Sequence, residues 1–141
     1  MAISEAHVGR QYPPTPPYEV SAAKVAEFAR ALGEGHSRHF GADAVAPPTF
    51  AAVLTGSAWQ SMFDDPELGL ALRRVIHGDQ RFEFTRLLKV GDRVQATLTI
   101  DKVRVRAGTE IISSSVVIAG VDGTERCTAS ATFVHARGTA A

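Results

Sequence analysis

The chain has 141 residues, 45% of them apolar, and its 15 Lys and Arg balance 15 Asp and Glu to a formal charge of zero. That length suits one domain, expected to bury roughly 68–70% of the surface its unfolded chain exposes. A neutral chain with no basic stripe has little to offer a phosphate backbone or an anionic membrane, which excludes nucleic acid as a partner.

Taken from the start, Met1 to Val8 carries no apolar signal segment. No apolar run reaches the ~18 residues of a membrane span, so a cytoplasmic location is expected. Pro13-Pro14-Thr15-Pro16-Pro17 removes four backbone donors, so residues 1–17 read as an extended arm. A first helix begins after Ser21, a good N-cap. It places Val25, Phe28, Ala29 and Leu32 on one apolar face and ends at Gly33 and Gly35. A second follows Pro47-Pro48, with Thr49 as its candidate N-cap, and runs from about Phe50 to Phe63 without one charged residue. A helix with no polar face must be enclosed on most sides, and this one is too short to cross a bilayer.

From Val75 the period changes to two, with Phe82 and Phe84 on one face and Arg81 and Glu83 on the other. Val94, Ala96, Leu98 and Ile100 continue it until the apolar phase shifts to Val103 and Val105, which predicts a bulge near Asp101-Lys102. Ala107-Gly108 and Asp122-Gly123 are hairpin signals, the second read as a type I′ turn, and they separate strands near 93–106, 109–121 and 124–136. Cys127, the only cysteine, falls in the last of these and reads as a buried thiol of a reducing compartment.

Two helices followed by a meander of long bent strands give an α+β chain. One sheet face needs covering, and one all-apolar helix is available to cover it. The expected architecture is a single hot-dog domain over residues 1–141, a long curved antiparallel sheet wrapped around one central helix, with a frayed tail at 137–141. An open sheet edge with leftover apolar surface predicts a dimer.

No phosphate loop, Cys-x-x-Cys or nucleophile elbow occurs. His36 and His39 have only Asp43 as a possible third ligand, so neither metal nor cofactor is expected. The informative stretch is Gly33-Glu34-Gly35-His36-Ser37-Arg38-His39, a loop carrying a carboxylate five residues before an imidazole and leading to the start of the apolar helix. Such a pair can move protons, and unpaired N–H groups at a helix start can hold a developing oxyanion. On spacing alone, Glu34, His36, Arg38 and His39 read first as a solvated loop, since charged residues after a helix end usually are one.

This stretch resembles the motif Gly-Asp-x-Asn-Pro-aliphatic-His of the MaoC-like (R)-specific enoyl-thioester hydratases and 3-hydroxyacyl dehydratases. The likeness extends through Val45-Ala46-Pro47-Pro48-Thr49-Phe50, Val75 to Phe84, and Val90-Gly91-Asp92. Together these segments resemble the N-terminal-type, FAS1-like dehydratase domain over residues 8 to 136. The resemblance implies Glu34 and His39 as the catalytic pair and a thioester carbonyl polarised at the start of the central helix. Thr49 and Phe50 would supply that contact, because Pro48, at the family's oxyanion glycine, has no N–H. Glu34 for Asp, His36 for Asn and Ser37 for Pro are further departures.

The implied reaction is hydration or dehydration at the Cα–Cβ bond of a 2-enoyl or (R)-3-hydroxyacyl thioester of CoA or acyl carrier protein. The implied assembly is a homodimer or a heterodimer with a second MaoC-like chain. The alternative is a non-catalytic acyl-binding subunit of such a heterodimer. A hot-dog thioesterase would need a carboxylate on the central helix, and the segment from Phe50 to Phe63 has none.

Overall fold

The computed structural model describes residues 1–138. Helix α1, Ala22–Ala31, starts where Ser21 Oγ accepts the Lys24 N–H at 3.1 Å. It ends in a Schellman arrangement, in which Gly33 at φ +73° bonds Arg30 O and Glu34 N–H bonds Ala29 O at 2.9 Å. Val25 and Ala29 face the core, but Leu32, expected on the same stripe, lies past the last helical turn and is 55% exposed.

Helix α2, Ala51–Phe63, is entered through a single 3-10 turn, Pro48–Phe50, with no side-chain cap, so Thr49 does not act as the expected N-cap. Ala51, Leu54, Thr55, Ala58 and Met62 are buried, while Ala52, Gly56, Ser57 and Gln60 on the other side are exposed. The expected enclosure is therefore one-sided. The uncovered face carries small side chains with little apolar area to hide, which is how it can lack charge and still be wet. Trp59 is half-buried, edge-on to Phe133 and His77 at 5.1 Å each.

The strands are β1 (Tyr18–Glu19), β2 (Val75–Phe84), β3 (Arg93–Arg106), β4 (Thr109–Gly120) and β5 (Glu125–Ala136). They form one antiparallel sheet of order β1-β3-β4-β5-β2 that curls against α2 as a half-barrel, the hot-dog arrangement. The bulge falls between Ile100 and Lys102 as expected, and a second one opens β2 between His77 and Asp79. The turns exchange roles. Ala107 and Gly108 both have positive φ (49° and 79°), as a type I′ turn needs, whereas at Asp122-Gly123 only Gly123 does. Asp122 instead accepts the Thr124 N–H at 2.9 Å, and that bond holds its carboxyl below the usual range.

The two sheet edges differ. Beside β3 the N-terminal arm runs antiparallel, with Gly9, Tyr12 and Thr15 donating to Ile100, Leu98 and Ala96. A 3-10 turn at Glu5–His7 interrupts its extended course. Ile3 is buried, and Arg10 (2.8 Å) and Tyr12 (2.6 Å) both bond Asp65 just after α2. Burial raises the Asp65 carboxyl, but the Tyr12 and Arg10 hydrogen bonds outweigh it and hold it below its ordinary value. Among the described residues no strand pairs beyond β2, and Ile76 there is 68% exposed.

At the C-terminal end Arg137 bonds Glu110 in bidentate fashion, at 2.8 and 3.0 Å, so the expected tail is not free at 137; residues 139–141 of it lie outside the described residues. Cys127 is buried, and desolvation pushes its thiol up to about 11. Among the described residues, no helix is long and apolar enough to cross a membrane.

Candidate functional site

The loop between the helices is shaped by backbone bonds from outside it. Ala46 N–H bonds Leu88 O, Val90 N–H bonds Ala44 O, and Val45 bridges Lys89, so the β2–β3 connection grips residues 44–46. Val45 in turn donates to Arg38 O at 2.8 Å, and its own carbonyl lies 2.6 Å from His39 Nδ1. A carbonyl can only accept, so Nδ1 carries the proton and Nε2 is left as the basic nitrogen. His39, in the 3-10 turn Ser37–His39, is 1% exposed. Among the described residues its Nε2 meets only the Arg38 Nε–H, at a long 3.4 Å.

Glu34 is exposed at the end of α1, and among the described residues no hydrogen bond joins it to His39. The five-residue spacing therefore does not produce the expected contact in the isolated chain. Glu34 follows the Schellman turn as C″, which aims its backbone at α1 and its side chain at solvent. His36, where the motif has Asn, accepts the Arg38 N–H on Nδ1 at 3.1 Å and helps close the same small turn. Among the described residues, no three His, Cys, Asp or Glu side chains are grouped as a metal would need.

Of the two residues assigned to the thioester carbonyl, only one has a donor to give. Phe50 N–H is taken by Pro47 O at 2.9 Å, and its ring is buried edge-on to Phe28 at 5.4 Å. Thr49 is exposed, and its N–H has no acceptor among the described residues. The start of α2 thus offers one open N–H, at Thr49.

One buried imidazole–carboxylate pair does form, at a place sequence reading passed over. His135 Nδ1 lies 2.8 Å from Glu110 Oε1, and both residues are at most 2% exposed. The two face each other across β4 and β5, a register that no short motif reveals. His135 Nε2 accepts the Ala71 N–H at 3.0 Å, so this imidazole is used up as a clamp on the segment after α2. A second residue passed over is Arg38, which stands where the motif has an aliphatic side chain and touches the basic nitrogen of His39.

With this geometry in hand, the chain is similar to several known proteins. The family described as FAS1-like, dehydratase domain region matches residues 6–126. A UPF0336 protein of Cutibacterium acnes is 47% identical over 137 residues, covering 97% of this chain and 96% of that one. Among solved structures, the HadBC (3R-hydroxyacyl-ACP dehydratase) complex of Mycobacterium tuberculosis superposes with a TM-score of 0.80 at 25% identity, covering 91% of this chain and 96% of that one. A MaoC-like dehydratase superposes at 0.84 with 26% identity, covering 95% of this chain and 43% of that longer one.

Proposed function

The chain belongs to the FAS1-like dehydratase domain family of MaoC-like hot-dog proteins, and from that premise we propose that it is a hydro-lyase of acyl thioesters. Its substrates are 2-enoyl or (R)-3-hydroxyacyl thioesters of CoA or acyl carrier protein. The observation that carries this reading is His39, a buried loop imidazole held by Val45 O in the one tautomer that leaves Nε2 basic.

In the hydration direction, water oxygen bonds to Cβ as the Cα–Cβ double bond shifts to an enolate whose oxygen is held by Thr49 N–H. One of Glu34 and His39 takes the water's proton, and the other returns a proton to Cα. Positioned acid–base groups of this kind contribute roughly 10²–10⁴-fold in rate. For this to happen Arg38 must leave Nε2 and Glu34 must turn inward. Both are exposed side chains with room to do so.

A second reading is favoured by specific observations. Glu34 stands apart from His39, Pro48 has no N–H, and Phe50 N–H is spent on Pro47. These suit an acyl-binding subunit whose chemistry comes from a MaoC-like partner, and the similarity to a chain of the HadBC complex agrees with it. Either reading gives the bare β2 edge a use, as the place where a second chain continues the sheet. The purified chain assayed on trans-2-enoyl-CoA, alone and with a catalytic MaoC-like partner, separates the two. Turnover alone supports the enzyme, and turnover only with the partner supports the subunit.

A further inference from the structure

On the outer face of the sheet the middle rows are hydroxyls, with Ser115 beside Ser130 and Ser113 beside Thr132. Toward the Ala107-Gly108 hairpin the pattern breaks. The next row is Arg104, Ile111, Val134 and Ile76, side by side across β3, β4, β5 and β2 and on one face of the sheet. Ile111 and Val134 are half-buried, and Ile76 is 68% exposed. Beyond them Arg106 closes the β3 end. At the β2 end stands Arg74, just before Val75, with its guanidinium against Gly138.

A depression of about 470 Å³ adjoins this row and is lined by Glu5, Arg104, Val105, Arg106 and Ile111. Its apolar lining is Val105, itself 58% exposed, with Ile111, and its charged lining is two guanidiniums against one carboxylate. The chain as a whole is neutral, so this end of the sheet carries a local excess of positive charge. Among the described residues, none of Arg74, Arg104 and Arg106 enters an ion pair. An apolar row on an otherwise polar sheet face marks a contact surface, and unpaired cations at both of its ends fix the charge of what covers it.

We infer that this outer face docks an acidic amphipathic helix of a partner protein, its apolar stripe laid along Ile111, Val134 and Ile76 and its carboxylates set against Arg104, Arg106 and Arg74. From Arg104 to Ile76 the row crosses three strand spacings, ~14 Å, the length of about ten helical residues. A second copy of this chain is excluded as the occupant of the same face, because it would bring like guanidiniums together. A phosphate backbone would answer the charges but not the apolar row between them. Strand pairing at the bare β2 edge uses backbone groups and leaves the outward Ile76 side chain free, so both contacts can coexist. Docking here is independent of the thioester reading.

The test titrates the full chain into a fluorescent Ala-rich peptide of about 18 residues, stapled as a helix, with Leu at i, i+4, i+7 and i+11 and Glu on both flanks of that stripe. Anisotropy should show it binding at least ~10-fold tighter than a scrambled, equally stapled peptide of the same composition, and weakening as salt is raised. Arg104→Glu and Arg106→Glu are both exposed changes, and combined they should lower affinity at least ~10-fold. Ile76→Ser should lower it too, by removing apolar contact while leaving the salt dependence in place. Circular dichroism must show each variant folded; if the combined variant does not fold, Ile76→Ser and the single reversals carry the test. Equal binding of the scrambled peptide overturns the docking face, as does unchanged affinity in the folded variants. Tighter binding of a short DNA duplex than of the acidic helix makes the face a phosphate site and overturns it as well.

Discussion

His135 and His39 are equally buried and have opposite company. His135 gives Nδ1 to Glu110, which Arg137 also holds, and gives Nε2 to the Ala71 N–H. Every polar atom of that imidazole is spent on the protein. Among the described residues His39 is fixed through Nδ1 alone, and its other nitrogen meets only a long contact from an exposed arginine. What separates a clamp from a candidate base is therefore the fate of the second nitrogen, not burial or the presence of a nearby carboxylate.

The largest effect that would break this contrast is on stability. Glu110→Ala leaves the buried His135 and the Arg137 guanidinium without their acceptor and should cost about 3–5 kcal/mol, read from the urea midpoint. A loss under about 1 kcal/mol would mean that the clamp is not structural. Next comes His39→Ala, expected to lower hydration turnover by roughly 10²–10⁴-fold. The unfolding free energy should meanwhile move by no more than about 2 kcal/mol, the value of one hydrogen bond and some packing. A variant that is active but unstable would make His39 another His135.

Smaller again is the clamp on the N-terminal arm, where Tyr12→Phe removes one hydrogen bond to Asp65 and should cost about 1–2 kcal/mol. The folded Asp65 carboxyl lies below its unfolded value. Its contribution is thus complete above about pH 4 and fades as pH falls through the lowered value. Protection of the Tyr12 and Thr15 amides against hydrogen exchange, taken relative to the intrinsic rate at each pH, should fall on acidification in that window, and protection flat down to about pH 2 would speak against it. The smallest effect sharpens the contrast most. Arg38→Leu takes away the Arg38 contact on His39 Nε2, and as an exposed change it should leave stability within about 0.5 kcal/mol.

Much of the sheet was legible from sequence because alternation is a local signal. The phase shift from Ile100 to Val103 predicted the bulge, and the four strand spans follow from the same period. The charge-free run from Phe50 to Phe63 predicted a core helix, but not that one face would stay wet. Small residues such as Ala52 and Gly56 read as apolar without demanding burial. Asp122-Gly123 misled because Asp can satisfy a turn through its side chain without entering the left-handed region, while Ala107 entered that region under the pull of the hairpin twist.

The site was legible in part. The loop and the helix start were marked by residue type, yet the anchoring of His39 by Val45 depends on a grip from residues 88–90, forty residues on in sequence. The pairing of Glu110 with His135 depends likewise on strand register. Neither is a local signal. The spacing of Glu34 and His39 suggested a contact that the Schellman end of α1 turns away from.

Loss of the conjugated enoyl-thioester absorbance, followed as purified chain is mixed with trans-2-enoyl-CoA esters of increasing length, tests the hydro-lyase reading most directly. Turnover to the (R)-3-hydroxyacyl product is expected, largely lost in His39→Ala and Glu34→Ala and retained in His36→Ala and His77→Ala. A chain inert toward every ester until a catalytic MaoC-like partner is added, and then unaffected by His39→Ala, would contradict it.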